Sequence, residues 1–508
     1  MPDASRRRDR PPLGRSLVSA VLALIVAGNT PARGAPSLPE MGEASQRSLP
    51  PQEAAEIGAA FYHELEMAGL IVEDPLLADY IDGLGHRLAS RLDPETFASA
   101  PPFRFFLVDD SSVNAFAVPG GYIGVHAGLM LAAPGEGELA AVMAHEIAHL
   151  TQHHLARAYQ AATRYSLATA AAVLAAVLLG GDNTQFAQAA IATGTAANAQ
   201  LQINFTRANE VEADRLGMQL LADAGFDPDA MAGMFALLER SGRYYGQGVP
   251  EFLRTHPVTS NRLAEARARA ASLPARPPQD PLAFELMRAR LRVRTAANPL
   301  DTVQDFRHRI RNGQSAAVSA ARYGLALALA ESGEITEARK VITQLVNADP
   351  GRLAFRLAAA HIALLAGDTA AMAAAYSAAV ALFPTSRPLV LSAGADLIEA
   401  GRAAAAARIL EDYDRSLPGD PSVQRLLSRA AAARGQPMAA AWYLSQYHYY
   451  RGEYEAALAQ LRKAAAATAG DGILAAKIAA RRQELEERIQ PEASHDAAHE
   501  SPQNIRNS

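Results

Sequence analysis

Gly333, Gly367, Gly401 and Gly435 stand 34 residues apart, and Pro350, Pro384 and Pro418 keep the same interval. A fixed interval that alternates a helix stop with a helix breaker specifies stacked helix pairs, because one pair is too short to bury its apolar face except against its neighbours. Glycine suits the turn inside a pair, and proline the turn into the next. Ala338 and Ala406 fall five residues after their glycines, where helices pack closely; Met372 breaks that pattern. The series slips once. Gly452, opening the run Gly452-Glu453-Tyr454-Glu455-Ala456-Ala457, follows Gly435 by only 17 residues, so one helix is shared between successive pairs.

An interval of 34 is the tetratricopeptide period, and residues 314–470 are read as an α-solenoid of such repeats. Stacked pairs curve into concave surfaces, so protein recognition is the expected role, with a plain scaffold as the alternative. Residues 471–490 read as a terminal helix and 491–508, poor in apolar residues, as a disordered tail. Pro274, Pro277 and Pro278 mark the start of a linker, and linker and bridging helices together cover 273–313.

The amino-terminal half carries the chemistry. In His145-Glu146-Ile147-Ala148-His149 two imidazoles lie four apart on one helix face, so both can reach one metal ion. Glu146 lies between them, placed to act as general base on a water that the metal acidifies. No proline interrupts Glu136 to Tyr159, and Leu139, Val142, Met143, Ile147 and Leu150 recur at helical spacing. A packed helix with merely hydrogen-bonded histidines is the alternative, but it leaves Glu146 against apolar neighbours without a partner.

Catalytic zinc takes three protein ligands and keeps one position open. The extended motif with a third histidine fails, since Gln152 and Leu155 occupy its glycine and histidine positions. A second helix, through 205–214 and on to about Asp223, offers Glu210 and Asp214 four apart on one face, with Glu212 directed elsewhere. There Glu210 serves as third ligand and Asp214 orients a ligating histidine. A solvated acidic face is the competing reading. One Zn2+ per chain is the expected cofactor. His153 and His154 are assigned to packing or solvent rather than to the metal.

Three stretches, Phe103–Val108, Val113–Val118 and Tyr122–His126, read as strands, with Pro119-Gly120-Gly121 as a tight turn. His256, before Pro257, reads as an oxyanion donor or as a turn histidine with no catalytic part.

The pairing of H-E-x-x-H with a downstream E-x-x-A-D resembles the zinc peptidase family of HtpX and the CAAX prenyl proteases. Asn114 to Ile123 is similar to that family's edge strand and turn. Thr206-Arg207 is similar to its Ser-Arg, and Thr255-His256-Pro257 with Arg262 to its T-H-P-x-x-x-x-R segment. The likeness covers about Ala54 to Arg262. It implies a gluzincin-type metalloprotease domain, mainly α with a small β-hairpin and edge-strand sheet, over 51–272. It also implies that Asn114, Ala115 and Phe116 align an extended substrate, where a plain hairpin is the alternative. Arg207 and Arg262 become further site candidates, and in periplasmic relatives the histidine of the His256 loop closes the zinc.

Arg6, Arg7, Arg8, Arg10 and Arg15 precede an apolar run, Leu17 to Ala27, and Ala32-Arg33-Gly34 is a small-residue cleavage site. This predicts a cleaved secretory signal over 1–34, with an uncleaved anchor as the alternative, followed by a flexible segment over 35–50. No cysteine occurs in 508 residues, which suits an oxidising compartment. Family likeness places the protein in the periplasm. Residues 167–201 hold two apolar segments too short to span a bilayer and are expected to touch the membrane surface peripherally. A net charge of −5 with mixed signs gives no nucleic-acid footprint.

The expectation is a periplasmic zinc endopeptidase, followed by a protein-binding solenoid. The resemblance implies misfolded or stalled outer-membrane proteins as substrates and the outer-membrane assembly machinery as a partner of the solenoid. The alternative is a chaperone or assembly factor that works through the solenoid with a dormant zinc site.

Overall fold

Prolines and aspartates start the first helices. In α1 (Pro51–Met67), α2 (Pro75–Ala89) and α3 (Pro94–Ser99) a proline occupies the first turn, where no amide hydrogen is needed. The Asp74 side chain accepts from the Leu76 and Leu77 amides, and Asp93 from Thr96, satisfying donors that the helices cannot. The structure, a computed structural model, describes residues 50–154, 196–244, 252, 256–276, 280–313, 315–466 and 472–499. The expected signal at 1–34, the flexible segment at 35–50 apart from Pro50, and the apolar stretch from 167 to 195 lie outside the described residues. None of the described helices is long and apolar enough to cross a membrane.

Strands β1 (Arg104–Val108), β2 (Ala115–Val118) and β3 (Tyr122–His126) form one sheet in the order β1-β3-β2. Pairing is parallel between β1 and β3 and antiparallel between β2 and β3, with Phe116 opposite Gly124. Gly120 and Gly121 take φ of 83° and 92°, which closes the hairpin. Consequently β2 is an edge strand. Phe116 packs edge-on against Phe61 and Phe106, so its ring braces the sheet on α1.

After the short α4 (Ala127–Ala132) comes α5 (Glu136–Thr151), whose residues 139–148 are all buried. The helix α5 is the centre of this half. Against it pack α2, β2, α6 (Ala196–Asp223) and α7 (Ala230–Tyr244). It stops at Thr151, short of the expected Tyr159, because Gln152 and His153 turn the chain and His153 adopts φ 52°. Residues 155–159 lie outside the described part. On α6, Glu210, Ala213, Asp214 and Gly217 share one face by the 3–4 spacing. Gly217 lies against α5 so closely that a Cβ there would stand 3.1 Å from both the amide nitrogen and the Cα of His145.

Two more helices, α8 (Ser260–Ala270) and α9 (Pro281–Thr295), complete the first unit, which ends at Thr295. Arg290 on α9 donates to the Asp74 carboxylate at 2.8 Å, and Arg288 to the Ala133 carbonyl at 2.7 Å. Of the stretch read as linker and bridge, 281–295 therefore joins the first unit. The other bridging helix, α10 (Pro299–Asn312), belongs to the second.

In the second unit α11 (Ser315–Glu331), α12 (Ile335–Ala348), α13 (Leu353–Leu365), α14 (Thr369–Leu382), α15 (Arg387–Glu399), α16 (Ala403–Ser416), α17 (Pro421–Ala433), α18 (Pro437–Tyr450) and α19 (Tyr454–Ala466) each pack on the next. Gly333, Gly367, Gly401, Gly435 and Gly452 all sit in helix-to-helix turns with φ of 70–85°. The next amide in each case reaches back to a carbonyl inside the preceding helix, at 2.8–3.0 Å, for Glu334, Asp368, Arg402, Gln436 and Glu453. This is the glycine-dependent helix stop that the 34-residue interval repeats. At the irregular 17-residue interval α18 packs on both α17 and α19, as every helix of the series packs on its two neighbours. Ala338, Met372 and Ala406 are equally buried, so a longer side chain is accommodated at the one irregular position. The last helix, α20 (Gly472–His499), continues into the stretch expected to lack structure.

Replacing Gly217 with Val should destabilise the first unit by about 1–3 kcal/mol through overpacking at the α5–α6 crossing. Thermal melting of the metal-free protein measures this, with Gly217→Ala intermediate.

Candidate metal centre

Helix α5 delivers His145 and His149 one turn apart, with ring centroids 4.6 Å from each other and Nε2 atoms 3.0 Å apart. Across the crossing α6 brings the Glu210 carboxylate, 3.4 Å from both Nε2 atoms. His256, from the segment before α8, adds a third ring. Its Nδ1 lies 2.9 Å from Glu210 Oε1 and 3.4 Å from His145 Nε2, and its ring stacks on Phe252. One donor atom from each of His145, His149, Glu210 and His256 lies within 4.8 Å of the others.

Imidazole nitrogens with one carboxylate oxygen are the donor set of catalytic zinc. A second observation supports the fit. Glu146 is buried, and its Oε1 has no hydrogen-bond partner, the nearest ring nitrogen being His256 Nε2 at 3.7 Å. A buried carboxylate oxygen is costly to leave alone unless the site supplies something for it to bind. The Ala117 amide of β2 faces the same carboxyl group and opposes the upward push of burial there, so the edge strand runs beside Glu146. The residue that touches the centre from β2 is thus Ala117. Of the expected substrate residues, Ala115 and Phe116 lie on this strand, one buried and one in the aromatic cluster. Asn114 precedes it, buried, with Oδ1 unpartnered and its main-chain oxygen accepting from His126.

An outer layer holds the donors. Asp214 Oδ1 stands 3.1 Å from His145 Nδ1, although off the ideal hydrogen-bond direction. Arg262, on α8 and only 5% exposed, donates to both Asp214 oxygens at 2.6 and 2.7 Å, and its Nη1 lies 2.9 Å from Glu210 Oε2. One guanidinium therefore ties the Glu210 carboxylate to the Asp214 carboxylate behind it. Arg207, in contrast, is exposed on α6 and takes no part in the contacts just described. His154, assigned above to packing or solvent, is buried here. Its Nδ1 is 2.8 Å from His149 Nδ1 and its Nε2 3.1 Å from Glu212, the residue expected to point away. Nothing in the helical pattern could show this, because the turn at His153 reverses the register.

Burial and charge oppose each other throughout. Burial pushes the Glu146 carboxyl up and holds His149 down to about 3. At His145 burial pulls downward, but the Asp214 and Glu210 carboxylates win and raise it to about 10. Burial also works against ionised Glu210 and Asp214. His256 and the paired histidines nevertheless hold Glu210 well below its usual range, and His145 and Arg262 lower Asp214.

Two outcomes follow. Zinc must displace the His145 proton, so its affinity should rise about tenfold per pH unit between pH 6 and 8 and fall as acid is added; chelator competition across that range measures it. Arg262→Ala leaves two buried carboxylates without their counter-charge and should cost about 3–5 kcal/mol in a denaturant titration.

Residues 75–270 match the model of peptidase family M48. A beta-barrel assembly-enhancing protease from Escherichia coli strain K12 is 34% identical over 435 residues, covering 84% of this chain and 88% of its own length. One of the same name from Yersinia pestis is 32% identical over 399 residues, covering 78% and 81%. A protease HtpX homolog from Burkholderia thailandensis is 32% identical over 181 residues, 33% of this chain and 60% of its own. The chain belongs to peptidase family M48 and is a metalloprotease with zinc as its cofactor.

Proposed function

We propose that this chain is a periplasmic endopeptidase that degrades misfolded or stalled outer-membrane proteins and assists their assembly. The observation that carries the peptidase reading is the unpartnered Glu146 Oε1 beside three converging imidazoles and Glu210. The substrate class rests on relatives named for β-barrel assembly, two of which align over most of both chains.

In this reading His145, His149 and Glu210 hold the metal. Bound zinc supplies a Lewis acid that polarises the scissile carbonyl and acidifies water. Glu146 takes the proton of the attacking water and returns it to the leaving amine; its burial keeps it a willing proton acceptor. An extended peptide pairs along β2, and Ala115 and Phe116 on that strand, with Asn114 just before it, align the scissile bond near Glu146. Asp214 and Arg262 fix the ligand geometry. Residues 51–272 form the peptidase domain, and 314–470 a tetratricopeptide solenoid that docks on the assembly machinery. The leader at 1–34 directs export, and 167–201 touches the membrane surface.

His256 favours a second reading for the resting state. Its Nδ1 lies within the donor cluster, where it closes the fourth position that a substrate needs. A chain held in that state acts as a chaperone through its solenoid, with the zinc site dormant until the His256 segment moves.

Glu146→Gln should retain one zinc per chain and lose cleavage of an unfolded outer-membrane protein by at least 1,000-fold, on the order of 4 kcal/mol of barrier. Loss of zinc together with activity would remove the general-base assignment. His256→Ala should raise activity on the same substrate; unchanged or reduced activity would sink the gate.

A further inference from the structure

We propose that His154 and Glu212 form a hydrogen-bond bracket that sets the tautomer of His149 and so positions its Nε2 for the metal. The proposal rests on His149 being a ligand. Two distances define the chain of contacts: Glu212 Oε2 to His154 Nε2, 3.1 Å, and His154 Nδ1 to His149 Nδ1, 2.8 Å. A carboxylate only accepts, so it selects the His154 tautomer with hydrogen on Nε2 and a bare Nδ1. That bare Nδ1 then accepts from His149 Nδ1–H. The remaining lone pair of His149 is on Nε2, the atom 3.4 Å from Glu210 and 3.0 Å from His145 Nε2. His145 has its own support on Nδ1, from Asp214. The two ligating rings are thus held from behind by different devices, one a direct carboxylate and one a histidine relay.

The backbone is arranged for this contact. After Thr151 the chain does not continue as α5; His153 takes φ 52°, a left-handed conformation that only a few per cent of non-glycine residues adopt. A continued helix would carry residue 154 five positions, some 500° of rotation, beyond His149 and away from its ring. The turn instead folds His154 back, with 4% of its surface exposed and its ring 4.7 Å from that of His149 in a T-shaped contact. Glu212 approaches from α6, two residues beyond Glu210, so the helix that carries the carboxylate ligand also carries the anchor of the relay.

Zinc affinity, read by competition with a chromophoric chelator, separates positioning from catalysis. Outer partners of metal-bound histidines change affinity by about 10–100-fold. Glu212→Leu is expected to weaken zinc binding by that factor, and Glu212→Gln, which retains an accepting oxygen, to keep most of the affinity. Glu212 is one-third exposed, so its replacement should leave the metal-free melting temperature unchanged. His154→Ala should weaken zinc equally, and the double variant His154→Ala/Glu212→Leu no further, because the carboxylate acts through the ring. Parental zinc affinity in Glu212→Leu, or additive losses in the double variant, would overturn the bracket. His149→Ala is the control: full zinc affinity there would overturn the ligand assignment and the bracket with it. Loss in His149→Ala but not in Glu212→Leu would overturn the bracket alone.

Discussion

The crossing of α5 and α6 is the contact on which the centre depends. Two histidines on one helix cannot form a catalytic zinc site alone, and the third donor must come from a neighbouring backbone held at a fixed distance. Gly217 permits that distance. Because Glu210, Ala213, Asp214 and Gly217 recur on one face, the close contact at Gly217 and the carboxylates at 210 and 214 form a single stripe. Sliding either helix by one residue would rotate Glu210 away from the histidines, so packing in the core and ligand geometry are the same constraint.

Such a cluster is expensive to bury, and its neighbours show how the cost is offset. Glu210 and Asp214 are both ionised, against one permanent cation, Arg262, and a proton held on His145. A dication exchanging for that proton would leave the centre better neutralised. Glu146 differs from the other carboxylates. Among the described residues it has no guanidinium beside it, and burial lifts its proton affinity, as a general base requires.

Much of this was legible in the residues themselves. The spacing of His145, Glu146 and His149 needs only a helix, so local periodicity brings them out. Glu210 and Asp214 share a helix face too, but without a metal short of its third ligand that face reads equally as a solvated acidic one. The repeat glycines were legible for the same reason, because a left-handed helix stop is a local event with one favoured residue. The failures were non-local or non-periodic. His153 breaks the helix without glycine or proline, so the pattern extended to Tyr159 and hid the approach of His154 to His149. Glu212 points away from the Glu210 and Asp214 face, as its spacing predicts, but at the residue the turn brings back. Ala117 carries its contact through the backbone, which no side-chain motif records. Arg262 was found only by likeness to a family segment, since its partners lie 48 and 52 positions earlier in the chain.

The second unit is built on a different economy, in which each helix is stabilised by its successor and the turns carry the specificity. Among the described residues the donor cluster draws only on the first unit, so the metal centre offers the more direct test. X-ray absorption at the zinc edge of the purified full-length chain would read the ligand set. The account predicts one zinc per chain with nitrogen and oxygen neighbours only, at about 2.0–2.2 Å, and a multiple-scattering signature of histidine that diminishes in His149→Ala. Zinc that is substoichiometric, or whose histidine signature is unchanged by that substitution, would contradict it.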